Sequence, residues 1–286
     1  MALRRRSTRR RPLSARKRPA SAERIAENRR AVKFYAAVGV GAALLLALAI
    51  FARPRPVDKA TGCETDQLLP KAHTVLVIDQ TDAFTPAQIT YAKKVLLYEY
   101  DHLRRYDLLT VRGVGNDADT PLRNFKLCRV QKRAEVYGIA VNEDQVAHRF
   151  ETVAGKPMAH YLDSLARVGE AETSPLVETI SNISREEDFG PGVGARRLVV
   201  ISDLAQNSAN FSQYRNKGAK VALPTELGVY RADLKGATVR VHYLLRPSLR
   251  RLQGAEHQAT WQDYFERAGA RDVKIGWGVG LGDTKR

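Results

Sequence analysis

The sequence predicts an α/β protein: a mostly parallel central sheet with helices on both faces, preceded by one transmembrane helix. Three observations predict it. Short, nearly continuous apolar and β-branched runs, "HTVLVID", "RRLVVISD" and "ATVRVHYLL", read as strands covered on both faces. Helical patterns alternate with them, as a parallel sheet requires. One uncharged run of nineteen residues, Phe34 to Ala52, stands apart near the N-terminus.

The chain has 286 residues, is 44% hydrophobic and carries a formal net charge of +16. That charge is localised. Residues 1–33 hold thirteen Arg and Lys against Glu23 and Glu27, which leaves +5 for everything that follows. The arm is almost empty of large apolar residues and cannot build a core, so it is expected to be disordered. Its cations suit anionic lipid headgroups at about 1 kcal/mol each. No aromatic residue is interleaved among them for base stacking, so nucleic acid is not the expected partner.

The run 34–52 would make a helix roughly 28 Å long, which matches a bilayer core, and it lacks the polar stripe that helices of soluble domains keep. Crowding of Arg and Lys on its N-terminal side places residues 1–33 in the cytoplasm and sends the rest across. The expected location is therefore the cytoplasmic (inner) membrane, single-pass, with the main domain periplasmic or otherwise extracytoplasmic. A cleavable signal peptide is the alternative, but "IFARPRPVD" offers no small-x-small site.

Residues 53–72, with three prolines and no periodicity, read as a stem or linker. An oxidising space permits the only two cysteines, Cys63 and Cys128, to pair as a disulfide. Such a bond would contribute about 4 kcal/mol by loop closure. Two separate buried thiols are the alternative, because sequence gives no distance.

The domain is expected over 73–286. After the first strand, Thr85, Pro86 and Gln88 signal a capped helix start, and that helix is expected to run to about Arg105. "DLLTVRGV" and "NFKLCRV" follow with a loop and no helix between them, which implies one antiparallel member. Residues 143–169 read as helical, with Val146, Phe150 and Val153 on one side and a restart at Pro157. A helix opens near Ser174, the second buried strand ends at Asp203, and "ATVRVHYLL" is a third strand of the same buried type. "HQATWQDYFERAGA" is an amphipathic helix in which Trp261, Tyr264 and Phe265 have core spacing, and "RDVKIGWGV" is a last short strand.

In an open α/β sheet, ligands bind outside the carboxyl ends of the strands. Two buried strands end in aspartate, Asp79 and Asp203. Thr81, Asp82, Thr173, Ser174 and Ser202 are close to these ends in sequence. Hydroxyl and carboxylate oxygens in that number suit a hard cation, most naturally Mg²⁺. The plainer reading is that these aspartates close turns and that Asp82 supports the helix start at Thr85. Gln206, Asn207, Ser208, Asn210 and Tyr214 follow on the same rim and read either as partner-binding donors or as an ordinary polar loop. The six histidines show no metal-ligand spacing.

The strand ending in DxT, the capped helix, the hairpin, the helix opened by a hydroxyl residue and the strand ending in Asp resemble the von Willebrand factor A fold over about residues 73–276. "DQTDAFT", "SPLVETI", "ISDLAQNSANFSQY" and "WQDYFERAGA" are similar to an uncharacterised group of bacterial membrane-anchored proteins with such a domain. The resemblance implies a metal-ion-dependent adhesion site built from a DxSxS loop, a second-loop Thr and a third-loop Asp. The corresponding metal ligands here are Asp79, Thr81, Ser174 and Asp203, and Ala83 departs from the pattern where the second serine would stand. It also implies binding of a protein partner outside the cytoplasm rather than catalysis. An Asp and Mg-dependent phosphoryl transferase like the haloacid dehalogenases is the enzyme alternative, but it wants DxD, and position 81 is Thr. A scaffold acting through the basic arm is a third reading.

Overall fold

The computed structural model describes residues 20–51, 56–119, 124–135, 142–166, 171–209, 211–215, 222–224 and 230–278. The chain divides into two units, 1–54 and Arg55–Arg286.

The first unit contains helix α1, Ala20–Phe51. It begins well before the expected Phe34, so residues 20–33 are helical and only residues 1–19 of the expected arm lie outside the description. Ala, Glu and Arg dominate that added stretch and are good helix formers, which composition alone had made to look like a solvated arm. Within α1, Glu27–Leu48 is long and apolar enough to cross a membrane, and Leu44, Leu45, Leu46 and Leu48 stand exposed.

The second unit is a six-stranded sheet. Its strands are β1 (Ala72–Asp79), β2 (Leu108–Val114), β3 (Asn124–Cys128), β4 (Ala195–Ser202), β5 (Thr238–Tyr243) and β6 (Asp272–Trp277), in the order β3-β2-β1-β4-β5-β6. All pairings are parallel except β2 with β3, where Leu109 faces Leu127. The helices are α2 (Pro86–His102), α3 (Glu143–Phe150), α4 (Lys156–Leu165), α5 (Leu176–Arg185) and α6 (Ala255–Arg267). One π-helical stretch, Glu151–Gly155, joins α3 to α4 just before Pro157.

Two cores follow from strand alternation. On one face, Leu76, Ile78, Val199 and Ile201 pack with Ala92 and Leu96 of α2 and Met158 of α4. On the other, Val75, Val77, Val200 and Val241 pack with Ile180 and Ile183 of α5 and the Trp261, Tyr264 and Phe265 cluster of α6. The start of α2 is the expected capping box: Gln88 N donates to Thr85 Oγ1 at 3.2 Å and Thr85 N donates to Gln88 Oε1 at 3.0 Å. The helix stops at His102, short of the expected Arg105, because Leu103 takes an extended conformation.

Two further expectations are corrected. Residues 56–71 are not a free linker but belong to the compact unit. Asp58 Oδ1 accepts from Ala60 N and Thr61 N, Cys128 N donates to Thr61 O at 2.8 Å, and Cys63 is disulfide-bonded to Cys128. Gly62 holds φ at +73°, and a Cβ there would sit 2.6 Å from Val130 Cγ1, so only glycine lets the segment lie this close. The second correction concerns β5, which is not buried on both faces. Val239, Val241 and Tyr243 are buried while Arg240 and His242 alternate with them half-buried, because that face of β5 is covered only in part by α2, whose Tyr91 bonds His242.

Candidate functional site

The strand order turns back between β1 and β4, since the chain adds strands outward from β1 on one side and from β4 on the other. Such a switch point opens a crevice at the strands' carboxyl ends. Asp79 ends β1, Asp203 follows β4, and both are buried with Thr81, Ser174 and Ser202 beside them. The structure therefore brings together the four residues read from sequence.

Their bonds converge on Asp79. Its Oδ1 accepts from Thr81 Oγ1 at 2.7 Å and Thr81 N at 3.1 Å. Its Oδ2 accepts from Ser202 Oγ at 2.6 Å and, more weakly, from Ser174 Oγ at 3.5 Å. Asp203 Oδ1 accepts from Ala205 N at 2.9 Å, which closes a tight turn. Between them Leu204 holds φ at +61°, a left-handed conformation that costs a non-glycine residue about 1–2 kcal/mol. Leu204 is retained because its N–H donates to Ser202 Oγ and its carbonyl accepts from Trp261 Nε1.

The residue that sequence reasoning missed is Arg246. Its Nε donates to Asp203 Oδ2 at 2.6 Å and lies 3.3 Å from Asp82 Oδ2. Its Nη1 donates to the Ala83 carbonyl at 3.0 Å and its Nη2 to the Asp82 carbonyl at 3.5 Å. Gln253 steadies this loop, accepting from Arg246 N and donating to the carbonyls of Leu244 and Asp203. The available signal was position: Arg246 comes three residues after β5, on the same sheet edge as Asp79 and Asp203. Burial, with the Asp79 charge next to it, pushes the Asp203 carboxyl up to about 7, while Arg246 pulls it down.

The remaining rim residues divide. Gln206 is buried and turned inward, capping α5 through Val177 N at 2.9 Å and donating to Glu178 at 2.8 Å. Asn207 bridges Ser174 by paired backbone bonds, Ser208 bonds Phe211, and Thr173 turns away to Asn116. Asn210 lies outside the described residues. Tyr214 is half-exposed, and burial together with the charges of Asp203, Asp82 and Asp79 pushes its hydroxyl up, so it remains a donor.

With Arg246 in place, these residues do not fit a resident divalent cation. Of the four candidate ligands, Asp203 already receives the Arg246 guanidinium, which also takes the carbonyls of Asp82 and Ala83. An ion about 4 Å from that charge would be repelled by roughly 4 kcal/mol per unit charge at an effective dielectric of 20. No group of three or more His, Cys, Asp or Glu side chains arranged to hold a metal occurs among the described residues.

A second concavity lies elsewhere on the domain. A cleft of about 610 Å³ separates α2 from the partly covered face of β5 and β6. Its floor is fixed by Arg197, which donates to both Glu99 oxygens at 2.8 Å, and by Tyr91, bonded to His242 at 2.8 Å.

No family model matches the chain, and no curated protein matches it. Solved structures similar to it include the conserved hypothetical protein BatB from Bacteroides thetaiotaomicron, at 13% identity over 73% of this chain and 91% of that one, with a TM-score of 0.37. An aerotolerance-related membrane protein from Bacteroides fragilis, carrying multiple mutations to serines, is 14% identical over 72% of this chain and 92% of that one, with a TM-score of 0.33. A von Willebrand factor type A protein from Catenulispora acidiphila is 11% identical over 70% of this chain and 42% of that one, also at 0.33. The antiparallel β3 and the aspartates at the strand ends are those read from the sequence, and the mostly parallel six-stranded sheet is von Willebrand factor A-like in fold.

Proposed function

We propose that the chain is a membrane-tethered docking protein: α1 anchors it, and the A-type domain binds an acidic segment of another protein outside the cytoplasm. The cleft between α2 and the β5–β6 face carries this reading. At its walls the large rings of Tyr98 and Trp277 are 56% and 58% exposed, an arrangement typical of surfaces that await a partner. Lys94 and Lys274 line the same space, and neither makes a hydrogen-bonded ion pair there, although Lys274 lies close enough to Asp272 to help lower its carboxyl. Arg197 and Arg240 are already held by Glu99 and Asp272. Burial pushes His242 below its ordinary value, so it stays neutral and competes for no anion. Cations and rings in one concave site favour a segment bearing carboxylates. The strand-end residues support docking less directly, because nearly all their donors are turned inward.

The test uses the full chain in detergent micelles, titrated with an acetylated Glu-Glu-Tyr-Glu-Glu peptide. The chain has two tryptophans, of which Trp261 is fully buried, so a fluorescence change reports Trp277. Saturable binding, weakened about tenfold (about 1.4 kcal/mol) by Lys94→Glu with Lys274→Glu, is the expected result. Equal binding by the double variant, or binding of anionic vesicles in place of the peptide, would contradict the proposal.

A further inference from the structure

We infer that Arg246 is the permanent cation of the strand-end site, standing in for the divalent ion that an A-type domain is expected to hold there. This goes beyond the docking proposal and does not depend on which surface the partner uses. Two independent departures point to the same conclusion.

The first is the loop between β1 and α2. A hydroxyl at position 83 would be a cation ligand, and the residue there is alanine, which offers only its carbonyl. That carbonyl is not idle, since it accepts from Arg246 Nη1 at 3.0 Å. The second is the third-loop aspartate. Asp203 Oδ2 accepts from Arg246 Nε at 2.6 Å, and Asp82 flanks the same Nε at 3.3 Å. A planar guanidinium with five fixed donors suits one carboxylate oxygen and two backbone carbonyls on one side of it better than a compact ammonium would. The Arg246 side chain is only 11% exposed, so it is a built part of the site rather than a surface residue resting on it.

The oxygens left to Asp79 are satisfied without any ion, by hydroxyls of Thr81, Ser202 and Ser174. Each hydroxyl keeps a lone pair for an added ligand. Removing the guanidinium therefore leaves Asp203 Oδ2, Asp82 and two loop carbonyls without their cation, next to the Asp79 carboxylate and its hydroxyl partners. That set is what a hard cation takes. The wild-type domain should be indifferent to divalent ions, and loss of Arg246 should create a dependence on them.

The experiment is thermal unfolding of the full chain in micelles, followed by near-ultraviolet circular dichroism, in EDTA and then in millimolar Mg²⁺, Mn²⁺ or Ca²⁺. The wild type and Arg246→Lys should show the same Tm in all conditions. Arg246→Ala should melt lower in EDTA and regain roughly 5–10 °C with a cation at a hundred times its Kd, and adding Asp203→Asn should remove that gain. A cation-dependent rise in the wild type that disappears with Asp203→Asn would overturn the inference. So would an Arg246→Ala protein that is folded and unresponsive to every cation. If Arg246→Ala does not fold at all, Arg246→Gln, which keeps bulk and a donor but no charge, decides in the same way: a cation response supports the inference and none overturns it.

Discussion

His257 is fully buried beside the loop that leads away from Asp203, and its tautomer follows from its neighbours. Gln213 Oε1 accepts from Gln206 N at 3.0 Å, so the atom 3.1 Å from His257 Nε2 is an acceptor and Nε2 carries the proton. Nδ1 then accepts from Tyr243 O–H at 2.6 Å. Burial pushes the ring down to about 4, whereas in the unfolded chain it titrates near 6.5. Between those values the unfolded state binds more protons, so stability is complete above about 6.5 and is lost as the pH falls toward 4, by up to about 3 kcal/mol. Urea unfolding of His257→Gln at pH 7.5 and 4.5 should show an acid loss smaller than that of the wild type by about that amount. An unchanged loss would mean that His257 is protonated in the folded protein. His73, also pushed down by burial, keeps part of the slope in either case. At this scale the sequence was most readable where chemistry is local. Thr81 and Asp79 are two residues apart and bond each other. Arg246 meets Asp203 from 43 residues away, and apart from its place just after β5 no residue pattern in "LLRPSLRR" marks it as a partner.

Among elements, the clearest in sequence were those with an internal grammar. The Thr85–Gln88 box fixed the start of α2 because both its hydrogen bonds lie within four residues. Strands β1 and β4 were legible because burial on both faces demands continuous apolar runs. Strand β5 was misread for an instructive reason. "TVRVHY" does alternate, but the flanking Ala237, Leu244 and Leu245 lengthen the apolar impression and hide the polar face that Arg240 and His242 present to the cleft. The segment before β1 was misread because irregular backbone has no period. It is held by the Asp58 turn, by Gly62 and by the bond from Cys63 to Cys128. Cys63→Ser with Cys128→Ser should lower unfolding stability by about 4 kcal/mol, the entropy of a loop closed over 65 positions. A loss below about 1 kcal/mol in denaturant melts would show that the segment stays docked without the bond.

For the whole molecule, the alternation of strands and helices announced a parallel sheet, but the order β3-β2-β1-β4-β5-β6 was not legible in the sequence and is seen only in the structure. Hydrophobic period tells which face a residue takes and not which strand lies beside it. The order matters because it alone sets Asp79 beside Asp203 and leaves the β5–β6 face open for the cleft. Helix α1 adds a span long enough for a bilayer, and residues 1–33, ahead of its uncharged run, carry thirteen Lys and Arg against two Glu. On the proposed reading the domain is displayed outside the cytoplasm, where Cys63 and Cys128 can stay oxidised. The measurement that tests this most directly combines two readouts on the full chain in cells. Spheroplasts are exposed to external protease, and thiols are alkylated with a mass-tagged maleimide before and after reduction. Cleavage of the domain, with two tags added only after reduction, is the predicted result. A domain protected from protease, carrying two tags without any reductant, would place it in the cytoplasm and contradict the account.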